Sequence, residues 1–245
     1  VRITLQGVAK GDQGENLPPT SLEYQSGGVT VVAVETAQRP TVLALLASGR
    51  MAPDHGTVTI DDADDAPRLR SVTAIVDAPD VSEPVGDLKL KAVVQEELMF
   101  AGRPSSRAAT AQTLAELDAT EFSGWEIQNI PTAVRLRILT ELASVRPGVE
   151  ALVLAAPDRR GSDPFDWWAV AADFALRGFA VLVIASPASA DLLSEVAARF
   201  ETERLAELER RAAAARAEEA ARLADLLEPP TPADTTEITE ITDPS

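Results

Sequence analysis

Between Val29 and Asp62 the chain reads VTVVAVETAQRPTVLALLASGRMAPDHGTVTIDD, and no other stretch limits its fold as strongly. Val29–Val34 is an apolar run with the length and β-branching of a buried strand. Glu35–Pro40 is polar and reads as a loop, Thr41–Ser48 as a helix, and Gly56–Ile60 as a second strand. A strand that feeds a short loop opening a helix is where a phosphate-binding loop sits, because the first helical N–H groups have no partner in the helix and point at an anion. The motif for such a loop is G-x-x-x-x-G-K-[ST]. Here the corresponding residues are Ala33-Val34-Glu35-Thr36-Ala37-Gln38-Arg39-Pro40-Thr41. The frame is kept and the motif residues are largely replaced.

Composition narrows the function classes. Of 245 residues 45% are apolar, enough for a core, and only 4% are aromatic, so that core is built from Leu, Val and Ala. Cys is absent, which excludes disulfides, Cys-bound zinc and thiol nucleophiles. His55 is the single histidine and falls in a Pro-Asp-His-Gly sequence that reads as a solvated turn. The formal net charge of -17 argues against a broad nucleic-acid surface or attachment to anionic lipid by charge alone. No apolar run nears the roughly 18 residues of a membrane span, so direct membrane insertion is not expected. A cytoplasmic protein, reaching the inner face of a membrane only through a partner, is the expectation.

Taken in order, Val1–Gln6 alternates as a half-buried strand, Gly7–Thr20 reads as a polar loop, and Leu22–Gln25 as a short strand before a Gly27-Gly28 turn. Asp61–Asp65 is an acidic turn, and Ser71–Val76 a strand ending at Asp77-Ala78-Pro79. Helical spacing covers Leu88–Ala101, Ser105–Asp118 (with Ser105 or Ser106 as N-cap) and Pro131–Val145. Phe122–Ile130 is irregular. Ala151–Ala155 and Phe179–Ala185 are continuous apolar runs, as in strands buried on both faces, and Asp166–Arg177 is a helix between them. Helices alternating with such strands predict a parallel sheet. Ala190–Leu227 is a long helix rich in Ala, Glu and Arg, read as a solvated face laced with i,i+4 pairs or as a partner-binding helix. Glu228–Ser245 holds five acids, no base and four prolines and is predicted to be a disordered tail.

The order and spacing of these elements over about residues 1–190 resemble the nucleotide-binding domain of ATP-binding cassette (ABC) transporters. The resemblance is carried by the phosphate-loop frame, by Arg50–Asp62, by the helix with Arg135 and Arg137, and by the run APDRRGSDP at Ala156–Pro164. It implies an α/β, P-loop NTPase-like core with an antiparallel β subdomain, a helical subdomain at about 85–147 and, beyond the family core, the long helix at 191–227.

The same resemblance locates the chemistry that has changed. Ala33, Thr36 and Gln38 stand where a phosphate loop needs glycines to curl the backbone. Arg39 holds the lysine position with a larger, planar charge. Pro40 replaces the magnesium-binding hydroxyl and removes an N–H, Glu35 adds a carboxylate facing the phosphate site, and Thr41 is retained. Ala155 and Ala156 occupy the Walker B positions, where the family has a metal-organising Asp and a Glu that activates water. The signature loop falls on Ile130-Pro131-Thr132-Ala133-Val134 without its glycines. Asp77 stands at the Q-loop glutamine, Ser186 at the switch histidine, and Asp163 keeps the Asp of the D-loop.

The reading is therefore of an ABC ATP-binding-subunit-like protein that has lost its ATPase chemistry, with no catalytic residue, no metal site and no cofactor. Its expected partners are a membrane permease, another ABC ATPase subunit or a second copy, with Asp77–Leu88 beside the groove that takes a permease helix. Two alternatives stand beside it. One is a subunit that binds Mg·ATP at an unconventional site completed by a partner, with Arg39 and Thr41 holding phosphate. The other is a scaffold acting through the C-terminal helix alone.

Overall fold

The computed structural model describes residues 1–35 and 39–227. The chain begins with an antiparallel hairpin, β1 (Arg2–Lys10) and β2 (Leu17–Gln25). Next, β3 (Val29–Ala33) leaves this hairpin for a second sheet, α1 (Arg39–Ala47) follows, and β4 (His55–Ile60) returns to pair with β1. The first sheet has the order β2-β1-β4.

This corrects the polar loop expected at Gly7–Thr20, most of which is strand. Val8, Ala9 and Leu17 are buried, and the register shifts around Val8 accommodate the interruption at Gly7. Pro18 and Pro19 lack an N–H to donate, and they are tolerated because β2 is an edge strand. Gly56 has φ +81°, and a Cβ there would lie 2.4 Å from the Gln6 carbonyl oxygen, so only glycine allows this approach. His55 opens β4 opposite Ala9 and is exposed; it belongs to the strand and not to the expected turn.

After Asp61 and Asp62, both with positive φ, a short helix α2 (Ala66–Val72) precedes β5 (Thr73–Val76). Part of the strand expected from Ser71 is thus helical. Asp65 caps α2 by accepting the Arg68 N–H at 2.9 Å, and Pro67 sits in its first turn. Three helices follow: α3 (Leu90–Phe100), α4 (Arg107–Glu116, capped by Ser106) and α5 (Thr132–Ser144). Short 3-10 turns at 120–122 and 127–129 bridge α4 and α5. The chain then runs through β6 (Ala151–Ala155), α6 (Pro164–Leu176), β7 (Ala180–Ala185) and α7 (Pro187–Leu227). The segment Glu228–Ser245, expected to be a tail, lies outside the described residues.

The second sheet is parallel, in the order β3-β7-β6-β5. Its central strands are buried on both faces, and the period of two divides their side chains between two cores. Ala151, Val153, Ala155, Leu182 and Ile184 pack toward α1 and the antiparallel sheet. Leu152, Leu154, Val181 and Val183 pack toward α3, α5 and α6, in a core whose largest members are Trp167 and Trp168. Burial on both sides is why these strands carry no polar residue.

Residues Val1–Arg204 form one compact unit, which takes in the first turns of α7 through Leu193 and the edge-to-face pair Trp168–Phe200. From Leu205 the helix belongs to a second unit, in which Glu207 pairs with Arg210 at 2.7 Å and with Arg211 at 2.8 Å. No helix among the described residues is long and apolar enough to cross a membrane.

One buried ion pair ties the helical stretch to the parallel sheet. Arg135 on α5 is 1% exposed and meets the Asp77 carboxylate, just past β5, through both prongs: Nη2 donates to Oδ1 at 2.5 Å and Nε to Oδ2 at 3.2 Å. Its third donor, Nη1, reaches the Ile127 carbonyl at 3.1 Å. Burying two charges is costly, and this bidentate geometry with the extra carbonyl contact offsets that cost. Replacing Arg135 by Met keeps the volume but takes from the buried carboxylate its two-pronged partner, leaving only Arg159 Nη2 at 3.2 Å. Arg135→Met is expected to lower stability by about 3–5 kcal/mol, read as a lower urea midpoint with an unchanged slope.

Candidate functional site

All four parallel strands end at one edge of their sheet, and an open α/β sheet binds ligands beyond that edge. The loops leaving β3, β5, β6 and β7 meet there around a cavity of about 250 Å³. It is lined by Val34, Pro40, Thr41, Pro79, Ala156, Asp158, Arg159 and Ser186. Four of the eight are apolar. The volume falls just below the range of about 300–1,000 Å³ usual for small-molecule pockets.

The strand and the helix that flank the phosphate-loop position are both present. The Val34 N–H continues the sheet by donating to the Ala185 carbonyl at 2.9 Å, and α1 starts at Arg39. Thr36, Ala37 and Gln38 lie outside the described residues. Arg39 donates from Nη1 to Glu35 Oε2 at 2.5 Å, an i,i+4 pair spanning the loop. Its Nη2 reaches the Glu15 carbonyl at 3.5 Å. The guanidinium is thus engaged by the chain itself and does not line the cavity. Pro40 is buried and Thr41 half-buried, and both face the cavity.

At the end of β6, Ala155 is buried and Ala156 adopts a left-handed conformation, φ 48°, while its N–H bonds the Ile184 carbonyl at 2.8 Å. Two methyl groups therefore occupy the strand end. The carboxylate nearest to them in sequence is Asp158, whose Oδ2 accepts the Ser186 N–H at 3.0 Å. Ser186 Oγ in turn lies 3.2 Å from Ser189 Oγ. Partial burial of Asp158 pushes its carboxyl up, but the N–H and hydroxyl of Ser186 and the hydroxyl of Ser189 outweigh this and hold it below the ordinary carboxylate range.

The remaining residues singled out by sequence separate into two groups. Asp77 reaches this region through Arg159, whose Nη2 lies 3.2 Å from Asp77 Oδ2. Asp163 is exposed and caps α6, accepting the Phe165 N–H at 2.9 Å, and it is not among the cavity's lining residues. In the stretch Ile130–Val134, Ile130 is buried and α5 has already begun at Thr132, so Arg135 points inward as the partner of Asp77. Arg137 lies on the outer face of α5, 3.1 Å from Asp173. Three charged residues were not anticipated: Asp158 and Arg159 at the cavity, and Glu83, which binds Arg160. The Asp-Arg-Arg run following a buried strand was a visible signal for the first two.

No protein-family model matches this sequence, and no curated protein does. Solved structures match it in fold. A nucleotide-free ATP-binding cassette from an ABC transporter is 14% identical, with 79% of this chain and 83% of that one covered and a TM-score of 0.55. The cbiO1 protein of Clostridium perfringens, part of the ABC transporter complex cbiONQ, is 14% identical over 75% of this chain and 77% of its own, with a TM-score of 0.55. An ABC transporter ATP-binding protein from Pyrococcus furiosus is 10% identical over 76% and 92%, with a TM-score of 0.57. The parallel sheet, the antiparallel sheet and the intervening helices together have the P-loop NTPase-like fold of ABC ATP-binding subunits.

Proposed function

We propose that this chain is an ABC ATP-binding-subunit-like protein without ATPase chemistry, serving as a structural or regulatory partner of a membrane permease or of an active ATPase. The observation that carries this reading is the state of Arg39: the cation at the lysine position is held at 2.5 Å by Glu35, its own loop's carboxylate. The other residues present also fit a magnesium-bound triphosphate poorly. Pro40 offers no hydroxyl, Ala155 and Ala156 offer neither a metal-binding carboxylate nor a general base, and Asp158 is engaged by Ser186. Loss of a general base alone costs roughly 10²–10⁴-fold in rate.

A groove of about 600 Å³ supports the partner half of the reading. Val81, Val85 and Phe100, which line it, are 44%, 65% and 68% exposed, an apolar strip of the kind a short amphipathic helix covers. The second reading, a subunit that binds Mg·ATP with groups supplied by a partner, is favoured by Thr41 and Arg159, which both face the sheet-edge cavity.

Calorimetry with Mg·ATP separates the two. No heat of binding at millimolar nucleotide is expected; nanomolar-to-micromolar binding would sink the inert reading. Recovery of membrane proteins with the full chain tests the partner role, and Val85→Asp is expected to reduce it. Undiminished recovery would remove the groove from the interface.

The anchoring of Asp158 makes a separate prediction. A carboxyl with a lowered folded-state pKa adds stability above its unfolded value and loses it as pH falls through the folded one. Asp158→Asn should therefore unfold at lower urea than the parent at pH 7, with the gap closing below the ordinary carboxylate range. An equal gap at every pH would show that charge is not what Asp158 supplies.

A further inference from the structure

Two hollows of the first compact unit are joined by a set of charges. Arg159 lines the sheet-edge cavity and Glu83 lines the groove of about 600 Å³. The segment 77–83 connects them. Its backbone is a small knot: the Ala78 carbonyl accepts the N–H groups of Val81 (3.2 Å), Ser82 (3.0 Å) and Glu83 (3.0 Å), and the Ala78 N–H donates to Ser82 Oγ at 3.0 Å. Asp77 and Asp80 both hold positive φ, 52° and 59°. Both are aspartates, which enter the left-handed region more readily than most residues.

Three arginines hold the two ends of the segment, Asp77 and Glu83. Arg135 grips Asp77 from α5. Arg159 lies 3.2 Å from Asp77 and 3.5 Å from Glu83 through the same nitrogen, and Arg160 donates to Glu83. Arg159 and Arg160 both belong to the turn after β6. Three guanidiniums thus face two carboxylates, fixing one end of the segment to the helical stretch and the other to the sheet. Each carboxylate is already matched within the chain.

We infer that these arginines lock the 77–83 segment, so that the groove wall is set by the protein's own charges and is independent of any nucleotide in the sheet-edge cavity. Part of this inference, the groove as a permease dock, rests on the function proposed above; the lock itself rests only on the contacts just described. A partner would then meet the groove already shaped, with or without nucleotide.

Amide hydrogen exchange on the full chain, followed through peptides covering 78–83, tests the lock. In the parent, exchange there is expected to be slow and unchanged by millimolar Mg·ATP or inorganic phosphate. Glu83→Gln and Arg160→Gln should each speed it by about tenfold or more while the amides of β6 and β7 keep their rates. The charge exchange Glu83→Arg with Arg160→Glu should restore much of the protection. If Glu83→Gln also speeds exchange in β7, the unit as a whole has opened, and Arg160→Gln and the exchanged pair decide. Unchanged rates in the single variants, or protection that depends on nucleotide, would overturn the lock. Failure to recover a membrane partner would discard only the docking role.

Discussion

The pairing of Arg135 with Asp77 is the constraint on which the arrangement of this molecule depends. A helix from the all-helical stretch and the end of a parallel strand come from distant parts of the sequence, 58 residues apart. Apolar packing brings such elements together without fixing their angle closely, because dispersion contacts are numerous and non-directional. A two-pronged guanidinium–carboxylate contact, nearly water-free, allows far fewer orientations. Around it Glu83, Arg159 and Arg160 extend the same chemistry toward both hollows. The sheet-edge loops are therefore organised by internal charge pairs in the region where related folds place their ligand.

That substitution explains why so many polar residues at the site have chain partners. Glu35 answers Arg39, Ser186 answers Asp158, and Asp163 answers the start of α6. Each contact satisfies a group that would otherwise be free for a ligand. Of these, the Asp158–Ser186 contact is the one at a half-buried carboxylate, where a polar group left unsatisfied costs about 1–3 kcal/mol.

How much of this was legible in the sequence depends on the range of the interaction involved. The strands β6 and β7 were readable because burial on both faces removes polar residues and leaves unbroken apolar runs. In the hairpin, Val1–Gln6 and Leu22–Gln25 were readable as strand but the stretches that join them were not, since Gly7, Pro18 and Pro19 interrupt the pattern, and only pairing with a neighbour shows that Val8 and Leu17 are inside. The helix α2 was missed: Asp65 and Pro67 at its start are a cap and first-turn signal, but seven residues are too few to show an apolar period. At the site, the Glu35–Arg39 contact was not foreseen, because four-residue spacing brings side chains together within a helix and Glu35 precedes α1. The union of Glu83 with Arg160 crosses 77 residues and follows from no local rule.

The parallel sheet also acts as a partition. Val153 and Leu154 are neighbours in sequence, yet one belongs to the core beneath α1 and the other to the core beneath α5 and α6. The backbone between them is held by hydrogen bonds to strands on either side, so a void opened on one side has no direct route to be filled from the other. A change of side-chain volume in one layer is therefore absorbed first by that layer's own neighbours, and reaches the opposite layer only by moving a strand that both share.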